Sequence, residues 1–426
     1  MSALYAPNEI PSFQSTSSTL TTLTSFLVER SRPVANVATN STRRGRFAAA
    51  LERAVLEREQ IAPEPFRIQE LWSPLGIFLL SRLYVLCMFL AVGRVLNQTL
   101  TNLLTLWDSN WYLNIAQFGY VTSIPPGSGD PAQCNLGFFP LWPLVIRATH
   151  FVTGLSWETS GIAATFLTGS AASVAVWLFL RDRGSLSEAR RGLSLVLFTP
   201  GALVLSFVYS EGLIVTLAAL TLLGLRHRQW FWAGLAAALC STVDPVGGAA
   251  AVTVVTISLA AAWREHSWRP LIGTVTAPLG ILAFFSYLAV HAGSFFAWFH
   301  AQRAGWQGGS YFLGAPKAIY SFAAHGFSNL NPPVKTLSIV LAIVMLVLFA
   351  RLKPAREVVV YVATVLVMGL VSPIIGITPR LLLRDAPLLA TVGSRLNRRW
   401  FGVLLATCCA LLGFLIIVST TVFWTP

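Results

Sequence analysis

A chain of 426 residues that is 55% hydrophobic and only 11% charged is not an ordinary soluble domain, which carries about 25% charged residues. A mean hydropathy of +0.66 and several apolar runs near the roughly 17–25 residues that a spanning helix needs identify an all-α polytopic membrane protein. The formal net charge of +13 then records basic loops facing the cytoplasm rather than binding to nucleic acid.

Residues 1–70 are polar, with eight arginines and seven acids. They lack the apolar core of a signal peptide and read as a cytoplasmic tail with a surface helix over 46–59. Residues 71–426 form the transmembrane domain. Its first span covers about 75–96. The stretch 106–120 follows, in which Asp108 lies between Trp107 and Trp111. Trp111, Ile115 and Phe118 recur at helical spacing, so 110–118 reads as an amphipathic helix on the membrane surface. Asp108 at its front has two compatible roles, a helix cap that complements the dipole and a general base. The next apolar segment, 138–153, contains Arg147 and His150 and opens on Phe138-Phe139-Pro140-Leu141-Trp142-Pro143. It reads as a second interfacial helix. Further spans are expected at 159–180, 192–209, 211–225, 230–243, 246–262, 270–291, 335–350, 357–372, 380–393 and 400–422. The total is about 11 transmembrane helices.

With 138–153 kept at the surface, 22 of the 30 basic residues fall on the cytoplasmic side. The N-terminus is then inside and the C-terminus outside. Arg147, Arg303, Lys317, Arg380 and Arg384 remain outside, with Lys335 at an edge. Asp108, the hairpin Tyr209-Ser210-Glu211, Asp244 in Asp244-Pro245-Val246-Gly247, the loop 292–334 and Thr378-Pro379-Arg380 share that outer side. Glu211 and Asp244 interrupt apolar runs, where a charge is costly and tends to mark a site or pathway. Ordinary loop solvation explains Asp130 and Glu158 better than it explains these two. No internal repeat is visible, and the outliers gather at one face. Both features weigh against a transporter built from duplicated halves. Cys87, Cys240, Cys408 and Cys409 lie in apolar runs and Cys134 in a loop, with no metal spacing or disulfide framework.

Trp107-Asp108 followed by Ile115-Ala116 and Gly119-Tyr120, then Gly137-Phe138-Phe139-Pro140-Leu141-Trp142-Pro143, then Tyr209-Ser210-Glu211, resembles the PIG-V-like mannosyltransferases. That family comprises the second GPI mannosyltransferase of eukaryotes and its bacterial relatives, within the GT-C glycosyltransferase superfamily. Ala297-Trp298-Phe299 through Trp306 and Thr378-Pro379-Arg380-Leu381-Leu382 resemble later family blocks more loosely. The similarity runs from about residue 75 to the end and leaves the tail outside. The chain departs from the family at Trp111, where relatives often have histidine or glycine. It departs again at Asp244, where many carry arginine in an Arg-Pro-x-Gly pattern.

The resemblance implies a GT-C-like fold and transfer of mannose from a polyprenyl-phosphate donor to a lipid- or glycan-linked acceptor hydroxyl. The site would face the non-cytoplasmic side of what is expected to be a bacterial plasma membrane. Asp108 would be the general base, with no cofactor. Arg380 would hold the donor phosphate, and its plainer role is to anchor a helix end by snorkelling. Glu211 would orient the donor sugar or hold an arginine. Trp107, Trp111, Tyr120, Phe139, Asp244 and Trp306 are the remaining candidates for substrate contact. No Asp-x-Asp pair occurs in the outer loops, so no metal is expected. A lipid or solute transporter, or a GT-C enzyme for another polyprenyl-phosphate sugar, are the alternatives.

Overall fold

The computed structural model describes residues 67–124, 133–306, 313–372 and 376–421. The helix expected at 46–59 lies outside the described residues. Eighteen α-helices follow in chain order among the described residues. They are α1 (Trp72–Leu96), α2 (Leu100–Leu104), α3 (Asp108–Phe118), α4 (Leu141–Thr153), α5 (Trp157–Arg181) and α6 (Leu186–Phe198). Then come α7 (Glu211–Arg226), α8 (Trp230–Cys240), α9 (Gly248–Glu265), α10 (Leu271–Thr276), α11 (Leu279–His291) and α12 (Ala297–Trp306). The last are α13 (Gly314–His325), α14 (Asn331–Arg351), α15 (Arg356–Val371), α16 (Pro379–Arg384), α17 (Ala386–Arg395) and α18 (Arg398–Thr420).

Six helical stretches, Ile68–Leu96, Trp157–Arg181, Pro245–Glu265, Leu271–His291, Asn331–Arg351 and Arg398–Thr420, are long and apolar enough to cross a membrane. The architecture is that of an α-helical integral membrane protein. Both helices expected between the first two long spans are present, as α3 and α4.

Three expected spans are divided. The run 192–209 contains α6, which stops at Phe198, and a 3-10 segment over Pro200–Leu205. Proline disfavours the helical region for the residue before it, and Thr199 accordingly sits at ψ 150°. The run 380–393 is the pair α16 and α17, parted at Asp385 just ahead of Pro387. In 270–291, Pro278 parts α10 from α11, because it has no N–H to continue the ladder. The loop 292–334 holds two helices that were not expected, α12 and α13.

The break after α6 is filled by a buried cation. Arg82 of α1 donates to the carbonyls of Leu197 and Ala202 at 3.3 and 3.0 Å and to the Ser206 hydroxyl at 2.7 Å. A cation at a helix C-terminus satisfies carbonyls that the helix leaves unpaired. The long helices pack through small residues. A Cβ on Gly212 of α7 would lie 2.8 Å from the Gly169 nitrogen of α5, so the two backbones cross in direct contact.

Ion pairs tie helix ends together at one end of the bundle. Glu70 meets Arg181 at 2.7 Å, Asp182 meets Arg226 at 2.5 Å, Arg183 meets Glu357 at 2.8 Å, and Glu188 meets Arg395 at 3.3 Å. The ends of α5, α7 and α17 and the starts of α1, α6 and α15 therefore lie together. At the opposite end, the Trp107 indole N–H donates to the Ser419 carbonyl of α18 at 3.1 Å. That contact marks the level of the second charged region.

Candidate active site

Asp108 is the first residue of α3, not its cap. The N-cap is Trp107, at φ 61° and ψ −127° with no side-chain capping bond. A residue with a Cβ rarely adopts positive φ, and holding one there costs of order 1–3 kcal/mol. The Trp107 bond to Ser419 and a bond from the Asp108 N–H to the Tyr209 hydroxyl at 3.2 Å fix the turn from both sides. The turn aims the Asp108 carboxylate at α16. A first-turn acid still complements the helix dipole.

Arg380 and Arg384 lie four residues apart on α16 and so share one helix face. The Thr378 hydroxyl caps that helix by accepting from the Leu381 N–H at 3.2 Å. The 3-10 segment behind it presents Gly201, where a Cβ would fall only 2.0 Å from the Pro379 carbonyl oxygen. Only glycine lets the two backbones come this close. Glu211 opens α7 directly after Tyr209-Ser210. Asp244 accepts from the Val246 N–H at 2.9 Å through Oδ1, which fixes the short turn leading into α9.

Together these elements build a continuous chain of five charges. Asp108 Oδ2 accepts from Arg380 at 2.6 Å. Arg380 Nε donates to Glu211 Oε1. The same Glu211 oxygen accepts from Arg384 Nε and an Arg384 terminal nitrogen at 3.1 and 2.7 Å. Arg384 also reaches Asp244 Oδ2 at 2.9 Å. The Arg380 guanidinium lies 4.5 Å from the Tyr209 ring centroid, a cation–π contact. The Glu211 side chain is 0% exposed and that of Asp108 28%, so Asp108 is the member that solvent reaches most. Among the described residues Asp108 Oδ1 has no protein partner. Arg380 holds one oxygen and leaves the other free to accept a proton.

An aromatic wall stands beside this chain. Trp111 stacks on Phe138 at 5.7 Å, and the edges of Trp306 meet both rings at 6.0 and 5.6 Å. Tyr112 packs on Phe138 and Tyr209, and its hydroxyl is 3.5 Å from that of Ser210. Burial pushes the Tyr112 phenol well up, so it stays a neutral donor.

The candidates from sequence thus divide. Asp108, Glu211, Asp244 and Arg380 meet in one chain, with Trp107 directly behind Asp108. Trp111 and Trp306 form the wall. Tyr120 and Phe139 lie apart, in a seam against Phe284 at 6.2 and 4.7 Å. The Tyr120 hydroxyl there donates to the Phe138 carbonyl at 2.9 Å. Two of the nitrogens of Arg380 are claimed by carboxylates, so its expected role as a free fork for phosphate does not match its surroundings. Arg384 is counted among the outer basic residues by the sequence and given no role there. Its spacing of four from Arg380, just past a Thr-Pro helix start, was the signal that could have singled it out. Asp385 is also missed by the sequence reading; among the described residues neither of its buried carboxylate oxygens has a hydrogen-bond partner. No group of three His, Cys, Asp or Glu side chains placed to hold a metal ion occurs among the described residues.

The arrangement can hold one carboxylate in place, partly open to solvent, beside an apolar wall suited to a sugar face or an interfacial lipid. No protein-family model matches the chain, and no curated protein matches it.

Proposed function

We propose that the protein is a membrane-bound, inverting mannosyltransferase of GT-C type. It moves mannose from polyprenyl-phosphate-mannose to an acceptor hydroxyl at the non-cytoplasmic face. The observation that carries this reading is the position of Asp108. It is the most exposed member of a charge chain in which Glu211, Arg384 and Asp244 are buried, and it has one oxygen held by Arg380 and one free.

In the transfer, the acceptor oxygen attacks the anomeric carbon as the bond from that carbon to the phosphate oxygen breaks. Asp108 Oδ1 takes the hydroxyl proton. Polyprenyl phosphate leaves with the bonding electrons, and a phosphate needs no strong general acid to depart. Positioned proton transfer of this kind contributes typically about 10²–10⁴-fold. A single displacement inverts the anomeric centre. Glu211, Arg384 and Asp244 do not touch the reacting atoms; they hold Arg380, and through it Asp108.

Eleven spans with the N-terminus inside suit the gathering of Asp108, Glu211, Asp244 and Arg380 at one end and of the basic ends of α5, α7 and α17 at the other. Labelling of a single cysteine placed at 186 by a reagent confined to the outside would reverse this orientation. The activity is tested by incubating purified protein with radiolabelled polyprenyl-phosphate-mannose and membrane acceptors. Mannosylated product that depends on the protein is expected, and its absence with correctly folded protein defeats the reading. A proton-coupled transporter is the second reading, favoured by the unpartnered buried Asp385, since such groups inside a bundle mark proton paths. Transfer in detergent, where no gradient exists, separates the two.

A further inference from the structure

Two arginines against three carboxylates leave the charge chain with one net negative charge. A phosphate brought to Arg380 would meet that charge and would have to displace Asp108 or Glu211. A different cation lies nearby with no such commitment. Lys335 is in the first turns of α14, and no carboxylate among the described residues is within ion-pair distance of it. Its Nζ would be 3.9 Å from a Cβ built on Gly376, at the loop that leads into Thr378-Pro379-Arg380. The amine therefore lies against the loop that leads to Arg380.

Beside Lys335 runs an apolar cleft. Leu337 and Leu341 line it from α14, Leu382 from α16, and Leu411 and Phe414 from α18. Its floor includes Pro379, the neighbour of Arg380. Leu337 and Phe414 are 51% and 46% exposed, so the cleft opens sideways, toward lipid in a membrane. A cation at the head of an apolar cleft that opens sideways is complementary to one kind of molecule, a chain-like amphiphile with an anionic head.

We propose that this cleft, about 60 Å³ in volume, seats the carbons nearest the head of a lipid phosphate, and that Lys335, not Arg380, holds its phosphate. The proposal rests on the transferase reading for the identity of the lipid, as the donor or the leaving polyprenyl phosphate. Arg380 is then free to serve Asp108 alone. Lys335 is a binding residue here, and it takes no part in the proton transfer.

The test uses the full-length protein in detergent, with geranylgeranyl phosphate, geranylgeraniol and inorganic phosphate as probes in native mass spectrometry. The wild-type protein should bind the lipid phosphate at least about tenfold more tightly than the alcohol, the size of one charge-assisted contact. Lys335→Gln should erase that preference and leave binding of the alcohol unchanged, and Lys335→Arg should keep it. Leu341→Trp, which fills the cleft, should weaken both lipids. Inorganic phosphate should not displace the bound lipid. Equal binding of phosphate and alcohol by the wild type overturns the proposal, and so does an unchanged preference in Lys335→Gln or displacement by free phosphate. The wild-type comparison decides even if a variant fails to fold. Binding is read without turnover. A protein that binds lipid phosphate but transfers no mannose defeats the transferase reading alone, and transfer without a phosphate preference defeats this seat alone.

Discussion

The two ends of the bundle use the same residue types in opposite ways. At the Arg181 end the charges make staples and one small cluster: Glu70 with Arg181, Glu188 with Arg395, and Asp182 with Arg183, Arg226 and His227, where Arg183 also reaches Glu357. Most of their basic members are partly open, and the most open pair, Arg228 with Glu265, is 58% and 36% exposed. At the Asp108 end all five charges are joined, and Glu211 in the middle serves two arginines. An exposed pair such as Arg228 with Glu265 can be cut without consequence for its neighbours. A chain cut at its centre strands two buried cations at once. The first arrangement holds helix ends, whereas the second fixes the position of one carboxylate.

This contrast can be broken by substitution. The largest effect is expected for Asp108→Asn, which keeps the shape and removes the proton acceptor. Mannose transfer should fall about 10²–10⁴-fold while the melting temperature and lipid binding hold. A variant that keeps more than a tenth of wild-type turnover removes Asp108 from the chemistry. Next, Glu211→Gln should cost about 3–5 kcal/mol of stability, the usual result of stripping the partner from a buried charge. Chemical denaturation against the wild type measures it. A loss below about 1 kcal/mol would mean that the chain is as divisible as the staples.

Arg380→Lys keeps the charge but cannot reach Asp108 and Glu211 in two directions from one plane. It should lose about 1.5–3 kcal/mol of the Asp108 contact, seen as a fall in kcat with little change in KM. An effect confined to KM would return Arg380 to the phosphate. The smallest change belongs to the other end, where Arg228→Ala breaks an exposed pair worth about 0–1 kcal/mol. Its thermal unfolding should overlay that of the wild type, and a large shift would erase the distinction between the ends.

The acids of the site were legible because charge inside an apolar run has few innocent explanations. Glu211 and Asp244 each interrupt such a run, Asp108 stands between Trp107 and Trp111 in the loop after the first span, and the three converge. The arginines were harder to read. A loop-by-loop count of basic residues assigns Arg384 to the outer side and no further, and only the fold shows it paired with Glu211 and Asp244. Arg82 was invisible for a related reason. Its partners are carbonyls released where α6 stops, and no residue type announces a carbonyl. Hydropathy read 192–209, 270–291 and 380–393 as continuous because prolines at 200, 278 and 387 barely alter an average. Locally they decide where a helix must stop. The helices α12 and α13 were hidden for the converse reason, since their mixed polarity resembles that of a loop.

Gly201 carries no charge and touches no candidate substrate, yet its missing side chain sets how closely the 3-10 segment approaches Pro379. Every larger residue there must push α16 outward, and Arg380 and Arg384 travel with it. The geometry of the charge chain is thus exposed to lesions in a residue that no inventory of ionisable groups would include. A genetic screen for inactive but membrane-inserted protein should return alleles at position 201 beside those at 108, 211 and 380. Such alleles would retain every charged group of the site, each in place in the sequence but displaced in space.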